Sequence, residues 1–91
     1  MITSIVLIKT ERTKVNQVGQ QLANIKGITE VYSVSGRYDL VAIVRLTNNE
    51  ELSELITEKM TLVEGITHTE SMVAFNLLSK HDIASMFELG S

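Results

Sequence analysis

The short stretch Ser35-Gly36-Arg37-Tyr38-Asp39 lies between two apolar runs, EVYSV and LVAIVRL. Its residue types could hold a small zwitterion. Backbone N–H groups near Gly36 and Arg37 can receive a carboxylate, and the Arg37 guanidinium can add a charge-assisted bond. Asp39 can receive an ammonium, and Tyr38 can wall the apolar part of a ligand. Further along, Thr67, Thr69 and Ser71 alternate along one segment and offer hydroxyls for a polar floor. Together these groups complement an amino acid. The same residues also make an ordinary hairpin: Gly36 accepts positive φ, Asp39 bonds nearby backbone, and threonines suit strands. Sequence alone leaves both readings open.

Other chemistry finds little support. His68 and His81 are the two histidines, and neither falls in a metal-ligand spacing. Cysteine is absent, which excludes disulfides and thiolate nucleophiles. Ser33, Ser35 and Ser71 have no evident base in sequence. Glu30 and Glu70 are a carboxylate pair that would need proximity and shielding for acid–base work. VSGRYD matches neither the Walker nor the dinucleotide pattern. The expectation is no catalytic residue, no cofactor and no metal.

The chain has 91 residues, enough for one small domain over 1–91, with 79–91 as a C-terminal extension. Formal net charge is −3 and the eight lysines and arginines are scattered, so direct nucleic-acid binding is not expected. The apolar run near the start lacks a basic flank and a cleavage site, and the apolar runs are far shorter than the ~20 residues of a membrane span. The expected location is cytoplasmic.

These groups must be positioned by regular elements. Ile5, Val6, Leu7 and Ile8 predict a strand over 2–10. Val15, Val18, Leu22 and Ile25 recur at helical spacing, with Thr13 as the expected cap and Gly27 as the stop. Strands follow over 28–35 and 38–47. Thr47-Asn48-Asn49-Glu50 reads as a capping box before a second stripe of Leu52, Leu55, Ile56, Met60 and Val63, ended by Gly65. A fourth strand is expected over 66–78, then a short helical turn carrying Ile83, Met86 and Phe87. Gly-Ile-Thr recurs at 27–29 and 65–67, and the helical stripes repeat at the same offset. The order β-α-β-β-α-β with this repeat predicts an α+β, ferredoxin-like antiparallel sheet with two helices on one face.

Strand alternation places apolar side chains on both faces. In the third strand, Leu40, Ala42, Val44 and Leu46 point one way, and Val41 and Ile43 the other. Two helices cover only one face. The other would leave a broad apolar patch in water, so a homodimer packed sheet against sheet is expected. The C-terminal tail is too short to cover four strands unaided.

The segments GITEVYSVSGRYDLVAIV and LITEKMTLVEGITHTESMVAF, in this order and spacing, resemble the ligand-binding C-terminal domain of the Lrp/AsnC (leucine-responsive/asparagine regulator) family, the RAM domain. The resemblance covers residues 3 to about 78. It implies a dimer of facing sheets (a dimeric α/β barrel), further assembly of dimers into a higher oligomer, and amino acid effectors bound between subunits. The family's Gly-x-Tyr-Asp loop falls on Gly36, Tyr38 and Asp39, and its Thr-x-Thr segment on Thr67 and Thr69, with Ser71 nearby. Arg37 falls at a position that varies in the family. Regulators of this family carry a helix-turn-helix domain ahead of the module. With a first strand at Ile2, the chain resembles the stand-alone members, expected to bind amino acids or to join Lrp/AsnC-type regulators. The alternatives are a ligand-free module forming mixed oligomers with regulators and, by fold analogy alone, a small dimeric α/β-barrel enzyme.

Overall fold

The computed structural model describes residues 1–76. Within them, β1 (Ile2–Thr10), α1 (Val15–Ala23), β2 (Ile28–Ser33), β3 (Leu40–Leu46), α2 (Asn49–Glu54) and β4 (Ile66–Ala74) follow in the predicted order. The strands form an antiparallel sheet in the order β2-β3-β1-β4. This is the ferredoxin-like βαββαβ arrangement. Residues 77–78 of the expected fourth strand, the extension 79–91 and the turn expected around Ile83, Met86 and Phe87 lie outside the described residues. None of the described helices is long and apolar enough to cross a membrane.

Alternation along the central strands builds the core. Ser4, Val6 and Ile8 of β1 and Leu40, Ala42 and Val44 of β3 are buried beneath Val18 and Leu22 of α1 and Leu52, Leu55 and Met60 of the second helical segment. Each fully buried aliphatic side chain of this kind contributes about 1.5–3 kcal/mol. Ser4 is the one polar residue among the buried described residues; its hydroxyl donates to Met72 O at 2.8 Å, which satisfies it and ties β1 to β4.

The Gly-Ile-Thr repeat has a structural cause. α1 stops at Ala23 with Asn24 as its cap, and the second helical segment stops at Leu62 with Val63 as its cap, both at negative φ, so neither stop is the expected glycine. Gly27 and Gly65 instead take positive φ, 103° and 101°, in the turns that lead from those caps into β2 and β4. Their carbonyls accept from Arg45 N at 2.8 Å and Glu11 N at 2.7 Å, which hooks each returning chain onto the sheet. Strand register then slips once in each copy, between Ile28 and Glu30 and between Ile66 and His68. The slips leave Thr29 and Thr67 as bulge residues. Ile28 and Val31, and likewise Ile66 and Thr69, thereby share the helix side despite their odd spacing.

Both N-caps differ from expectation as well. The N-cap of α1 is Lys14, with no side-chain cap bond, so Thr13 does not cap it. The cap of α2 lies one residue later than the expected Thr47-x-x-Glu50 box. Asn48 Oδ1 accepts from Glu51 N at 2.9 Å, while Glu51 Oε2 accepts from Thr47 Oγ1 at 2.9 Å and Thr47 N at 3.3 Å. Nor is the second stripe one uniform helix. After Glu54 the backbone widens into a π turn over Leu55–Lys59, closed by Met60 N to Leu55 O, then tightens into a 3₁₀ turn over Met60–Leu62.

Candidate functional site

The β2–β3 connection, residues 34–39, folds over the end of β1. Val34 N donates to Asp39 O at 3.1 Å, and Asp39 N donates to Ile8 O at 2.9 Å. Asp39 Oδ2 accepts Thr10 N at 2.9 Å. The Asp39 carboxylate therefore already fastens the loop to β1, as the hairpin reading expects, before any ligand is considered. Gly36 sits at the exposed tip with φ 117°, and a Cβ built there would meet nothing within 4 Å. Its glycine identity serves the backbone turn, not close packing.

Tyr38 leans across to the edge strand β4. Its hydroxyl donates to Glu70 Oε2 at 2.5 Å, and its ring stacks on His68 with centroids 6.4 Å apart and planes inclined by 23°. Lys9 Nζ lies 6.0 Å from the same ring centroid, at the edge of cation–π range. Register explains the cluster: Lys9 pairs with His68 and Leu7 with Glu70, all on the face opposite the helices. The hydrogen bond to Glu70 holds the Tyr38 phenol above the ordinary tyrosine range, with partial desolvation and the carboxylate's charge adding to it.

The predicted hydroxyls lie elsewhere. Thr69 and Ser71 pair with Ile8 and Val6, which places them on the helix side of β4, and Thr67 occupies the bulge. One chain thus brings Tyr38 and Asp39 to the same end of the sheet as Thr67 and Thr69, but Tyr38 and the pair Thr69 and Ser71 occupy opposite faces. His68, Glu70 and Lys9, which meet Tyr38, were not among the ligand-binding candidates. The signal that finds them is strand alternation, since His68 and Glu70 are the in-between residues of the threonine segment.

A groove of about 440 Å³ runs along the helix side of this edge, between the π and 3₁₀ turns and the start of β4, and Thr67, His68 and Thr69 line it. A second groove, of about 400 Å³, lies at the far edge between α1 and β2; Glu30 and Ser33 line it, and none of the ligand-binding candidates does.

The face opposite the helices carries Ile5, Leu7, Val41 and Ile43 at its centre, each only half-buried. Met72 and Tyr32 flank them, 43% and 50% exposed. At the β2 edge the Tyr32 hydroxyl donates to Glu30 Oε1 at 2.8 Å, and Arg45 Nη1 lies 3.8 Å from Glu30 Oε2.

Comparison with known proteins places this architecture. The solved structure of TTHA0845 from Thermus thermophilus is 41% identical, with a TM-score of 0.83, covering 88% of this chain and 100% of that one. An HTH-type transcriptional regulator of Pyrococcus abyssi is 34% identical over 64 residues, 70% of this chain and 43% of the relative. The chain thus spans about half the length, or less, of the curated relatives it matches. The fold alone is shared with the Neisseria meningitidis transcriptional regulator NMB0573, solved as an L-Met complex, at 8% identity and TM-score 0.76 over 86% of this chain and 52% of that one. The family model for the Lrp/AsnC ligand binding domain matches residues 3–83. The chain belongs to the Lrp/AsnC ligand-binding domain family.

Proposed function

We propose that this chain is an effector-sensing regulatory module: copies pack sheet to sheet, assemble further, and hold an amino acid between subunits. The observation that carries the reading is the placement of the family's loop. Gly36, Tyr38 and Asp39 sit at the same sheet end as Thr67 and Thr69, with Tyr38 and the pair Thr69 and Ser71 on opposite faces of one edge strand. A ligand contacted by both sets is most simply shared by two chains, the loop of one facing the β4 hydroxyls of another. The half-buried row Ile5, Leu7, Val41 and Ile43 supports the facing-sheet contact, because covering each 100 Å² of such surface is worth about 2.5 kcal/mol. The L-Met complex of the Neisseria regulator supports an amino acid as the effector class. The relatives' name as transcriptional regulators supports action through Lrp/AsnC-type regulators in place of catalysis.

The test pairs thermal melting with mass in solution, across the amino acids. A ligand that binds the native protein raises the melting temperature, and the reading expects at least one amino acid to do so while the particle stays larger than one chain. Ile43→Glu, placing a charge on the open face, is expected to yield a single-chain particle that loses the response. A wild-type protein that is a single chain at micromolar concentration would refute the reading.

A second reading is favoured by one observation. The Asp39 carboxylate already accepts the Thr10 amide, so the loop is held together without a ligand. On that reading the module only joins regulators in mixed oligomers, and no amino acid shifts its melting.

A further inference from the structure

Tyr38 and Asp39 are neighbours in the β2–β3 loop, but different strands hold them. Asp39 ends on β1, through Ile8 O and the Thr10 amide. Tyr38 reaches past β1 and ends on β4, where Glu70 takes its hydroxyl proton. Neighbouring strands lie about 4.8 Å apart, so the side chain crosses about two strand spacings before it meets its acceptor. Lys9 of β1 and His68 of β4 lie against the ring along the way.

The bond matters more for direction than for stability. Glu70 and His68 are exposed and Tyr38 is half-buried. A phenol and a carboxylate in reach of water are solvated almost as well apart as together, so their contact adds little to folding. It does select a rotamer. A ring stacked on His68 with its hydroxyl held by Glu70 has one setting of χ1 and χ2. The Tyr32–Glu30 pair at the other sheet edge has the same chemistry without that consequence. Its partners stand two residues apart on β2, so it joins no second element to the first.

What precedes Tyr38 in the loop has few other restraints. Ser35, Gly36 and Arg37 are exposed, and Gly36 has open space around it. Among the described residues, backbone–backbone bonds reach the loop only at Val34 and Asp39. The N–H groups at Gly36 and Arg37, which the effector reading assigns to a carboxylate, therefore depend on the Tyr38 side chain for their placement.

We propose that Glu70 is a positioning residue of the effector loop: by holding the Tyr38 hydroxyl it sets the Gly36 and Arg37 amides in place before an amino acid arrives, with His68 supporting the ring. This role rests on the effector reading above. Glu70 acts through Tyr38 and does not touch the amino acid. A loop ordered beforehand loses less freedom on binding, and that freedom is worth several-fold in affinity for each side chain held. β4 then serves two sites at once. Its open-face residues order the loop of their own chain, while Thr67 and Thr69 are offered to the loop of another.

The experiment titrates the full chain and its variants with the complete set of standard L-amino acids by calorimetry, and follows mass in solution alongside. Glu70→Ala and Tyr38→Phe are each expected to weaken binding of the amino acid that the wild type holds most tightly, about fivefold. Melting should shift by a few degrees at most, and the oligomer's mass should stay unchanged. Adding Glu70→Ala to Tyr38→Phe should weaken binding no further, the signature of one residue acting through the other. Glu70→Gln, whose amide oxygen still accepts, should recover most of the affinity. Glu30→Ala, which removes the twin pair at the far edge, should bind as the wild type does. Unchanged binding in Glu70→Ala would overturn the role. So would additive losses in the double variant, which place Glu70 against the amino acid itself, or a Glu70→Gln loss as large as that of Glu70→Ala, which assigns the effect to charge. A smaller particle in Glu70→Ala would overturn it too, by placing the residue in the subunit contact. If the wild type binds no amino acid at all, the effector reading itself fails and the positioning role with it.

Discussion

Tyr38 donates a 2.5 Å hydrogen bond to Glu70, joining the β2–β3 loop to an edge strand 32 residues further along the chain. The bond lies on the open face, and His68 stacks beneath the same ring. The loop is therefore fixed against β4 by its side chain and against β1 by the Asp39 backbone and carboxylate. Two anchors on two strands hold a six-residue connection, and a Cβ on its tip glycine would meet nothing within 4 Å.

That bond predicts an alkaline signature. Tyr38 and Tyr32, the chain's two tyrosines, each donate to a carboxylate, Glu70 and Glu30, and both phenols are held above the ordinary range by those bonds. A phenol whose folded pKa is raised contributes stability that is complete below its unfolded value of about 10 and disappears as pH rises through the folded value. Phenolate absorbance during an alkaline titration should show both groups ionising later than in the denatured chain. Glu70→Gln should return one of the two toward the denatured value, and Glu30→Gln the other. An unchanged titration in Glu70→Gln would mean that the bond does not persist in solution.

The glycines separate backbone strain from packing. Gly27 and Gly36 both have positive φ, 103° and 117°. A Cβ on Gly27 would lie 2.5 Å from Leu46 Cδ2 and 3.1 Å from Leu55 Cδ1, whereas one on Gly36 meets open space. Gly36→Ala should therefore cost only the backbone term, about 1–2 kcal/mol. Gly27→Ala adds displacement of Leu46 and a squeeze on the buried Leu55 and should cost about 3 kcal/mol or more. Urea melts of the two variants would rank them, and equal midpoints would contradict the packing argument.

The helix caps give a sharper contrast. Asn48 makes the side-chain cap of α2, whereas α1 has none. Asn48→Ala should cost about 1 kcal/mol, and Thr13→Ala a few tenths at most, measured by the same urea melts. A larger loss at Thr13 than at Asn48 would reverse the assignment.

Element order and sheet face were legible in the sequence because alternation and helical spacing report burial directly, whereas the stops read at Gly27 and Gly65 lie beyond the actual caps, Asn24 and Val63. Val6, Ile8, Ala42 and Val44 are buried as their period implies. The cap of α2 was misplaced by one residue because Thr47, Asn48, Asn49, Glu50 and Glu51 offer two overlapping boxes, and only the direction of chain entry decides between them. The Gly-Ile-Thr repeat was visible, but its bulges were not: a register slip depends on the partner strand, which local sequence does not name. The site was legible in part for the same reason. Loop residues Gly36, Tyr38 and Asp39 announced a constrained turn, yet Tyr38's contact with His68 and Glu70 depends on β4 lying beside β1, a long-range pairing.

Asp39 carries the most informative substitution, because structure and proposed function ask different things of it. Its Oδ2 accepts the Thr10 amide, a structural task that an amide oxygen also performs. Pairing with an effector's ammonium needs the charge. Asp39→Ala removes both and should cost about 1–2 kcal/mol of stability, since a part-buried N–H loses its acceptor. Asp39→Asn keeps an acceptor and should melt within a few degrees of wild type. If the carboxylate also meets an ammonium, Asp39→Asn should still weaken amino acid binding about tenfold or more, as loss of a charge-assisted bond does. Calorimetric titration of this variant beside its melting curve separates the two roles. Full binding by Asp39→Asn would leave Asp39 a tie between loop and β1 alone.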